Sequence, residues 1–420
     1  MIGLLAAPRF PPPEFTETGH QLPGFTIPLP RGPWLEHLDV MVLLAALMLA
    51  AWLALRHRSR RGLVALGIFS VLYFGFWRKG CICSIGSIQN IAQALADSSF
   101  GLPTTVLVFG LAPLVFALLF GRVFCSAVCP HGALQDLMLI KPVKVPDWLE
   151  QGLRLIPYTY LGLAMIFAAT GGGYIICQYD PFVTLFRLSG SALMVSCGIG
   201  LLALGMFVGR PYCRFLCPYG ALLGLASNVS KWRVRITPDT CTQCRLCEQS
   251  CPFGAINKST VETPSRTVTT DKWRLAAMIL LLPVLIGVSG WFGGVTGKAL
   301  ARKHRTVNLA ERIFERTGKV PDAILTTAVF RRTGASIESL DADARVVRDR
   351  YVLAGRLCGV WIALVVGGKL ITLAIRRKRH DYEADQTRCV ACARCFKSCP
   401  QELQRLGLPV PEGAPLMPPS

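Results

Sequence analysis

Histidine and acidic residues are scarce in this chain. The six histidines are His20, His37, His57, His131, His304 and His380, and none falls in the middle of an apolar run. Haem b in a helical bundle needs axial histidines on its spans, so no haem is expected. Asp and Glu number 25 against 45 Lys and Arg. No carboxylate pair or Ser/His/Asp arrangement stands out, which leaves hydrolysis without a candidate site. No glycine-rich phosphate loop follows a strand pattern. The start, MIGLLAAPRFPPPEF, lacks a basic stretch followed by a full apolar core, so no cleavable signal peptide is expected.

Charge of both signs is also low, at 17% of residues, while 52% are hydrophobic and the mean hydropathy is +0.44. Such a balance suits an all-α polytopic membrane protein rather than soluble domains. The net charge of +20 comes with no nucleic-acid-binding motif, and basic residues collect in cytoplasmic loops of membrane proteins. No nucleic-acid partner is expected. Apolar windows at 38–55, 62–77, 102–120, 155–176, 190–208, 273–291 and 352–375 are each near the ~20 residues a spanning helix needs. RHRSRR at 56–61 and RRKRH at 376–380 mark those flanks as cytoplasmic. Seven spans then put the N-terminus outside and the C-terminus in the cytoplasm of a cell inner membrane. The Lys- and Arg-rich loop 292–351 runs against that orientation, at a length where the rule loosens.

Seventeen cysteines are many for a chain that is no small secreted domain, and most are clustered, which points to metal. CTQCRLCEQSCP begins at Cys241 and CVACARCFKSCP at Cys389. Both read Cys-x2-Cys-x2-Cys-x3-Cys-Pro, the bacterial ferredoxin spacing for two 4Fe–4S clusters, in which the fourth cysteine ligates the other cluster. Cys241, Cys244, Cys247 and Cys399 are thus expected to hold one cluster, and Cys389, Cys392, Cys395 and Cys251 the second. Two zinc sites give no reason for a third evenly spaced cysteine. A helical hairpin between the runs returns the chain to the side it left, so the halves can meet as a split ferredoxin-like domain.

A different pattern occurs twice. GRVFCSAVCPHGALQDL at 121–137 and GRPYCRFLCPYGALLGL at 209–225 are equivalent ends of an internal two-span repeat. Cys125 and Cys129, and likewise Cys213 and Cys217, would share a helix face, with Pro130 and Pro218 opening the next helix. Four thiols converging near Arg122, Arg210 and Arg214 would form a further iron–sulfur or iron site; the alternatives are buried thiols or disulfides. Cys81, Cys83 and Cys177 occupy matching outer positions, as metal ligands or as a disulfide. Cys197 and Cys358 read as packing residues within spans.

Together these elements resemble the NosR/NapH family of polyferredoxin-like membrane iron–sulfur proteins over about residues 38–400, through GRVFCSAVCP, GRPYCRFLCPYGALLGL and CTQCRLCEQSCPFGAI. The resemblance implies electron transfer across or along the cytoplasmic membrane, serving a respiratory reductase or its maturation outside. Family members of the NosR type also carry a periplasmic flavin domain before the first span. Only 37 residues precede that span here, so FMN is not expected on this chain and an extracytoplasmic flavoprotein or reductase is the expected partner. RTGASIES at 332–339 resembles a covalent flavin signature at Ser336. The helical periodicity around it leaves little room for a flavin-binding sheet and favours a partner-docking surface. Gly318 and Gly334 read as helix C-caps.

The expected division is 1–37, a Pro-rich outer segment; 38–235, the membrane core; 236–271, the first ferredoxin half; 272–291, the sixth span; 292–351, an outer helical loop; 352–376, the seventh span; and 377–420, the second half and tail. The expected role is a redox carrier between cytoplasmic clusters, or the quinol pool, and an outer acceptor. A quinol-oxidising subunit and a metal-handling maturation factor are the rival readings.

Overall fold

The computed structural model describes residues 32–80, 83–171, 173–236, 244–257, 268–315, 336–375, 382–405, 407 and 409–410. Cys81, Cys241, Gly318, Gly334, most of the N-terminal segment and the basic run 376–380 lie outside the described residues. The chain divides into two compact units, one including 286–360 and the other formed by 33–285 with 361–420.

Among the described residues, four helices are long and apolar enough to cross a membrane: Trp34–Arg56, Asp147–Ala169, Lys272–Ala301 and Ile337–Ala374. Pro181–Arg187 and Ala192–Gly205 meet that test only as a pair, bent by 102°. The bend has a local cause. Leu188 at φ 51 and Gly190 at φ 147 leave the helical region, which favours glycine at the second position. Ser191 then caps the next helix through the Met194 amide. Thr104–Phe120 is apolar but only 17 residues long. Residues 60–77 are helical throughout and turn π-helical at Val71.

The sixth and seventh windows are each part of a longer helix, Val268–Ala301 and Ile337–Ala374. The expected outer loop is therefore shorter than 292–351. Its ends are helix because small residues let two backbones meet. A Cβ on Gly293 would land on the Gly355 carbonyl, and one on Gly359 would land on the carbonyl of Ser289. Ser336 starts the second of these helices, its hydroxyl accepting from the Ser339 amide at 3.2 Å. That is the N-cap role natural to serine. Val307, Leu309, Ala310, Leu340 and Ala344 form a small core in the same unit.

The other unit holds the main core, where Leu43, Leu47, Leu63, Val123, Ala127, Phe182 and Leu223 are buried. The two ferredoxin halves also meet within it. Strand β1, Ile256–Asn257, pairs antiparallel with β2, Glu383–Ala384, with Ile256 opposite Ala384.

Candidate functional site

Local geometry repeats between the two four-cysteine runs. Short helices Leu246–Ser250 and Arg394–Ser398 follow residues held at φ 64 (Arg245) and φ 60 (Ala393). Each ends on its fourth cysteine in extended backbone, Cys251 at φ −89, ψ 106 and Cys399 at φ −89, ψ 115. Left-handed residues between cysteines turn successive backbone N–H groups to one side, a concavity suited to an anion. Cys251, Cys389, Cys392 and Cys395 line one cavity of about 20 Å³, closed by Val234, Phe253, Ala255 and Val390.

The sulfurs already have backbone donors there. Ala391 N–H donates to Cys389, and Phe253 and Ala255 N–H groups donate to Cys251. Burial pushes the Cys389 thiol up to about 12, helped by the neighbouring Cys392 and Cys251. Burial likewise raises Cys251 and Cys395. Neutral thiols are the form an apolar pocket prefers when nothing else is bound. Among the described residues, no three His, Cys, Asp or Glu side chains are grouped to hold a single metal ion. Four cysteines around one cavity are the donor set that a 4Fe–4S cluster takes. Of the other predicted ligand set, Cys244, Cys247 and Cys399 are described and Cys241 is not.

At the paired motif, one expectation needs correcting. Cys125 and Cys129 do not share one helix, and neither do Cys213 and Cys217. Cys125 lies in a π-helical turn, Phe124–Val128, while Cys129 is the extended N-cap of helix Pro130–Leu137. Cys213 lies in Pro211–Phe215 and Cys217 caps Pro218–Asn228. Proline at the first position of each following helix disfavours helical geometry in the residue before it, so Cys-Pro breaks the helix at the second thiol. Pro130 and Pro218 do open those helices. The Cys217 sulfur accepts from Gly220 N at 3.3 Å, and Gln135 Nε2 donates to Cys213 Sγ at 3.4 Å. Cys125, Cys129 and Cys217 are buried and Cys213 is partly buried. The four are near enough for charge on one to be felt by others.

Buried arginines surround these thiols. Arg122, Arg154, Arg210, Arg214 and Arg388 line a second cavity of about 50 Å³ that also touches Cys213 and Phe253. Two carboxylates that were not foreseen from the sequence pair with all of these except Arg122. Asp136 meets Arg60, Arg210 at 3.4 Å and Arg394 at 3.3 Å. Burial works against its charge, but Arg210, Arg60 and Arg394 outweigh that and keep its pKa at about 2. Glu150 meets Arg214 at 2.7 Å, Arg154 at 3.1 Å and Arg388 at 3.8 Å. Both are buried acids in an acid-poor chain, and Asp136 stands where the other repeat has Gly224. Those were the available signals. Arg122 Nε and Arg210 Nε remain buried without a hydrogen-bond partner among the described residues. Arg388 also pairs with Asp385 at 3.0 Å; seven guanidiniums against these three carboxylates leave excess positive charge, the environment that an anionic thiolate cluster would neutralise.

In the same unit, Cys83 is partly buried and Cys177 exposed. Both line a cavity of about 330 Å³ with Asp39, Arg78, Asp180 and Arg187. Arg78 pairs with Asp39 at 2.5 Å, and Tyr73 Oη donates to Asp39 at 2.8 Å. Asp180, also missed from sequence, accepts from Tyr212 Oη at 3.1 Å and faces His131 Nε2 at 3.4 Å. Cys197 is exposed rather than packed, because its helix turns that side outward, and Cys358 is half-buried.

Comparison with known proteins bears on this arrangement. A 4Fe-4S binding domain family matches residues 102–144 and 191–237, the two repeats, and a second 4Fe-4S binding domain family matches 234–257. The chain is 32% identical over 191 residues to the uncharacterized protein MJ0750 of Methanocaldococcus jannaschii, covering 43% of this chain and 77% of that protein. It is 26% identical over 225 residues to YccM of Escherichia coli, covering 45% of this chain and 63% of YccM. It is 29% identical over 243 residues to the regulatory protein NosR of Pseudomonas aeruginosa, covering 52% of this chain and 33% of NosR. The chain thus spans less than two thirds of YccM and a third of NosR. No solved structure matches it. Helices long and apolar enough to span a membrane and 4Fe–4S binding domains together mark a membrane protein of the iron–sulfur class. Within that class, the chain belongs to the NosR/NapH-like family of polyferredoxin membrane proteins.

Proposed function

We propose that the protein relays electrons between two cytoplasmic 4Fe–4S clusters and an extracytoplasmic acceptor, through a third iron–sulfur or iron centre at the paired motif. Cys389, Cys392, Cys395 and Cys251 hold one cluster. Cys241, Cys244, Cys247 and Cys399 hold the other. Cys125, Cys129, Cys213 and Cys217 hold the third centre. The carrying observation is that Cys251, from the first run, lines one cavity with three cysteines of the second. That cross-over is what a two-cluster ferredoxin requires. Iron–sulfur clusters supply one-electron redox chemistry; the chain supplies sulfur ligands, backbone N–H donors and compensating arginines.

In this reading seven spans lie in the inner membrane, with the N-terminus outside and the C-terminal half in the cytoplasm. The cavity bearing Cys83 and Cys177 marks the outer end, where a reductase or flavoprotein accepts the electrons, and quinol is an alternative donor. The proposed division is that expected from the sequence, except that the sixth and seventh spans lie within the longer helices Val268–Ala301 and Ile337–Ala374 and the outer loop is correspondingly shorter.

Cys251→Ala tests the assignment. Anaerobically purified protein should lose the signal of the cluster bound mainly by the second run, read by iron content and electron paramagnetic resonance. Selective loss of the other cluster would reject cross-ligation. Colourless, iron-free wild-type protein would reject the whole reading.

A further inference from the structure

Arg122 joins two places that the sequence sets far apart. Its Nη2 lies 3.8 Å from Cys125 Sγ, in the paired motif. Its Nη1 donates to the Thr387 carbonyl at 2.8 Å, two residues before Cys389. One planar side chain therefore spans from an inner thiol to the loop that opens the second cysteine run. Arginine suits this because its fork presents several rigid donors at once.

The repeat explains the connection. Arg122 and Arg210 occupy equivalent positions, as do Asp136 and Gly224. In one half, Asp136 pairs with Arg210 at 3.4 Å. In the other, Gly224 has no side chain to offer Arg122. A Cβ there would come within 3.2 Å of the Thr387 carbonyl. The glycine leaves room for that carbonyl to take the acceptor role that the carboxylate fills across the repeat. The incoming segment is fixed beside it. Ser227 Oγ donates to Gln386 O at 2.7 Å, and Gln386 Nε2 donates to Val234 O at 3.2 Å. Broken repeat symmetry has thus been turned into a docking contact for the second cysteine run.

The other contacts around the motif reach the same cluster loop. Arg60 Nη1 reaches Cys392 O at 3.5 Å, and Arg214 Nη1 reaches Pro252 O, next to Cys251, at 3.4 Å. Cys392, and Cys251 beside Pro252, belong to the Cys251/Cys389/Cys392/Cys395 set.

The geometry points to Arg122 as the positioning residue that couples the Cys251/Cys389/Cys392/Cys395 cluster electronically to the paired-motif centre, making that cluster the one next to the membrane centre in the relay. This rests on the proposed function. With Cys251, Cys389, Cys392 and Cys395 holding one cluster and Cys125, Cys129, Cys213 and Cys217 the other centre, the first would give up one electron and the second would accept it. No bond forms or breaks and no proton moves. A hydrogen-bonded guanidinium between the two shortens the through-space part of the route.

The test uses the full chain in detergent, purified anaerobically, with Arg122→Lys and Arg122→Gln. Iron and sulfide content, redox titration, and freeze-quenched paramagnetic resonance after a one-electron reductant pulse are measured on each. Lysine keeps the charge but cannot bridge both partners. It should leave iron content and midpoint potentials unchanged while slowing transfer by roughly tenfold or more, since small displacements of reacting groups are costly. Glutamine should slow transfer similarly and also lower the paired-motif potential. Gly224→Ala, which displaces the Thr387 carbonyl and leaves Arg122 in place, should reproduce the slowing, and serves if the arginine variants misfold. Unchanged transfer in the variants that fold, or loss of paired-motif iron in both arginine variants, overturns the proposal. Wild-type protein with iron only in the ferredoxin halves would instead overturn the third centre itself.

Discussion

Arg210, from the second repeat, donates to the backbone carbonyl of Cys125 in the first, and its other terminal nitrogen reaches Ser126 O at 3.0 Å. The side chain is 1% exposed. Arg210→Met should remove this lock and one of the three partners of Asp136, at a cost of about 3–5 kcal/mol. A lower Tm in detergent and iron loss confined to the paired motif are the expected readings. An unchanged Tm with full iron retention would refute a locking role.

Asp136→Asn keeps the shape and removes the charge that three arginines share. Stability at neutral pH should fall by about 3–5 kcal/mol, because buried guanidiniums lose their counter-charge. The carboxyl is held at about 2 in the folded state, below the ordinary value near ~4. Its contribution is therefore complete above that ordinary value and disappears as pH drops toward 2. Acid titration of cluster-free protein, followed by tryptophan fluorescence, should show a shallower decline for the variant over that window.

Iron uptake should depend on pH in the opposite direction from most ion pairs. Cys389 titrates at about 12 in the folded chain, so at neutral pH it carries a proton that must leave before iron binds. Initial rates of cluster reconstitution should rise between pH ~7 and ~9, as thiolate becomes more abundant. Cluster-free protein should also lose stability as pH climbs from about 9 toward 12, because its raised thiol favours the folded state only while protonated. A flat uptake profile would contradict the burial of these thiols.

Gly293→Leu should separate the helices Val268–Ala301 and Ile337–Ala374, since even a Cβ would meet the Gly355 carbonyl. Overpacking of this kind costs about 1–3 kcal/mol or more. Faster limited proteolysis near residues 293–301 and 337–355 is the expected result. Gly287→Ala, where a Cβ meets nothing within 4 Å, is the control that should behave as wild type.

The four-cysteine runs, the duplicated motif and the helix-opening prolines were legible because each is written in adjacent residues with a fixed spacing. Helix breaks at Cys129 and Cys217 were readable in principle, since proline restricts the residue before it; equal spacing suggested one helix face instead. The partners of Arg122 and Arg210 were not readable. Thr387 contributes a backbone carbonyl, which every residue possesses, and Asp136 acts through arginines from three separate segments. The long inter-helix contact at Gly293 and Gly355 was hidden for a related reason. Glycine there signals absence of volume, and only packing reveals what fills it.

Pairing of Ile256 with Ala384 sets an order on biosynthesis. The first four-cysteine run leaves the ribosome well before its counterpart, and under the proposed cross-ligation Cys251 would wait for three ligands not yet translated. Two long apolar helices have to enter the bilayer in between. Assembly of the cavity lined by Cys251 and the second run can begin only after that second run has been made. A truncated or misinserted product would thus expose unfilled thiols, a ready mark for disposal before it could leak electrons.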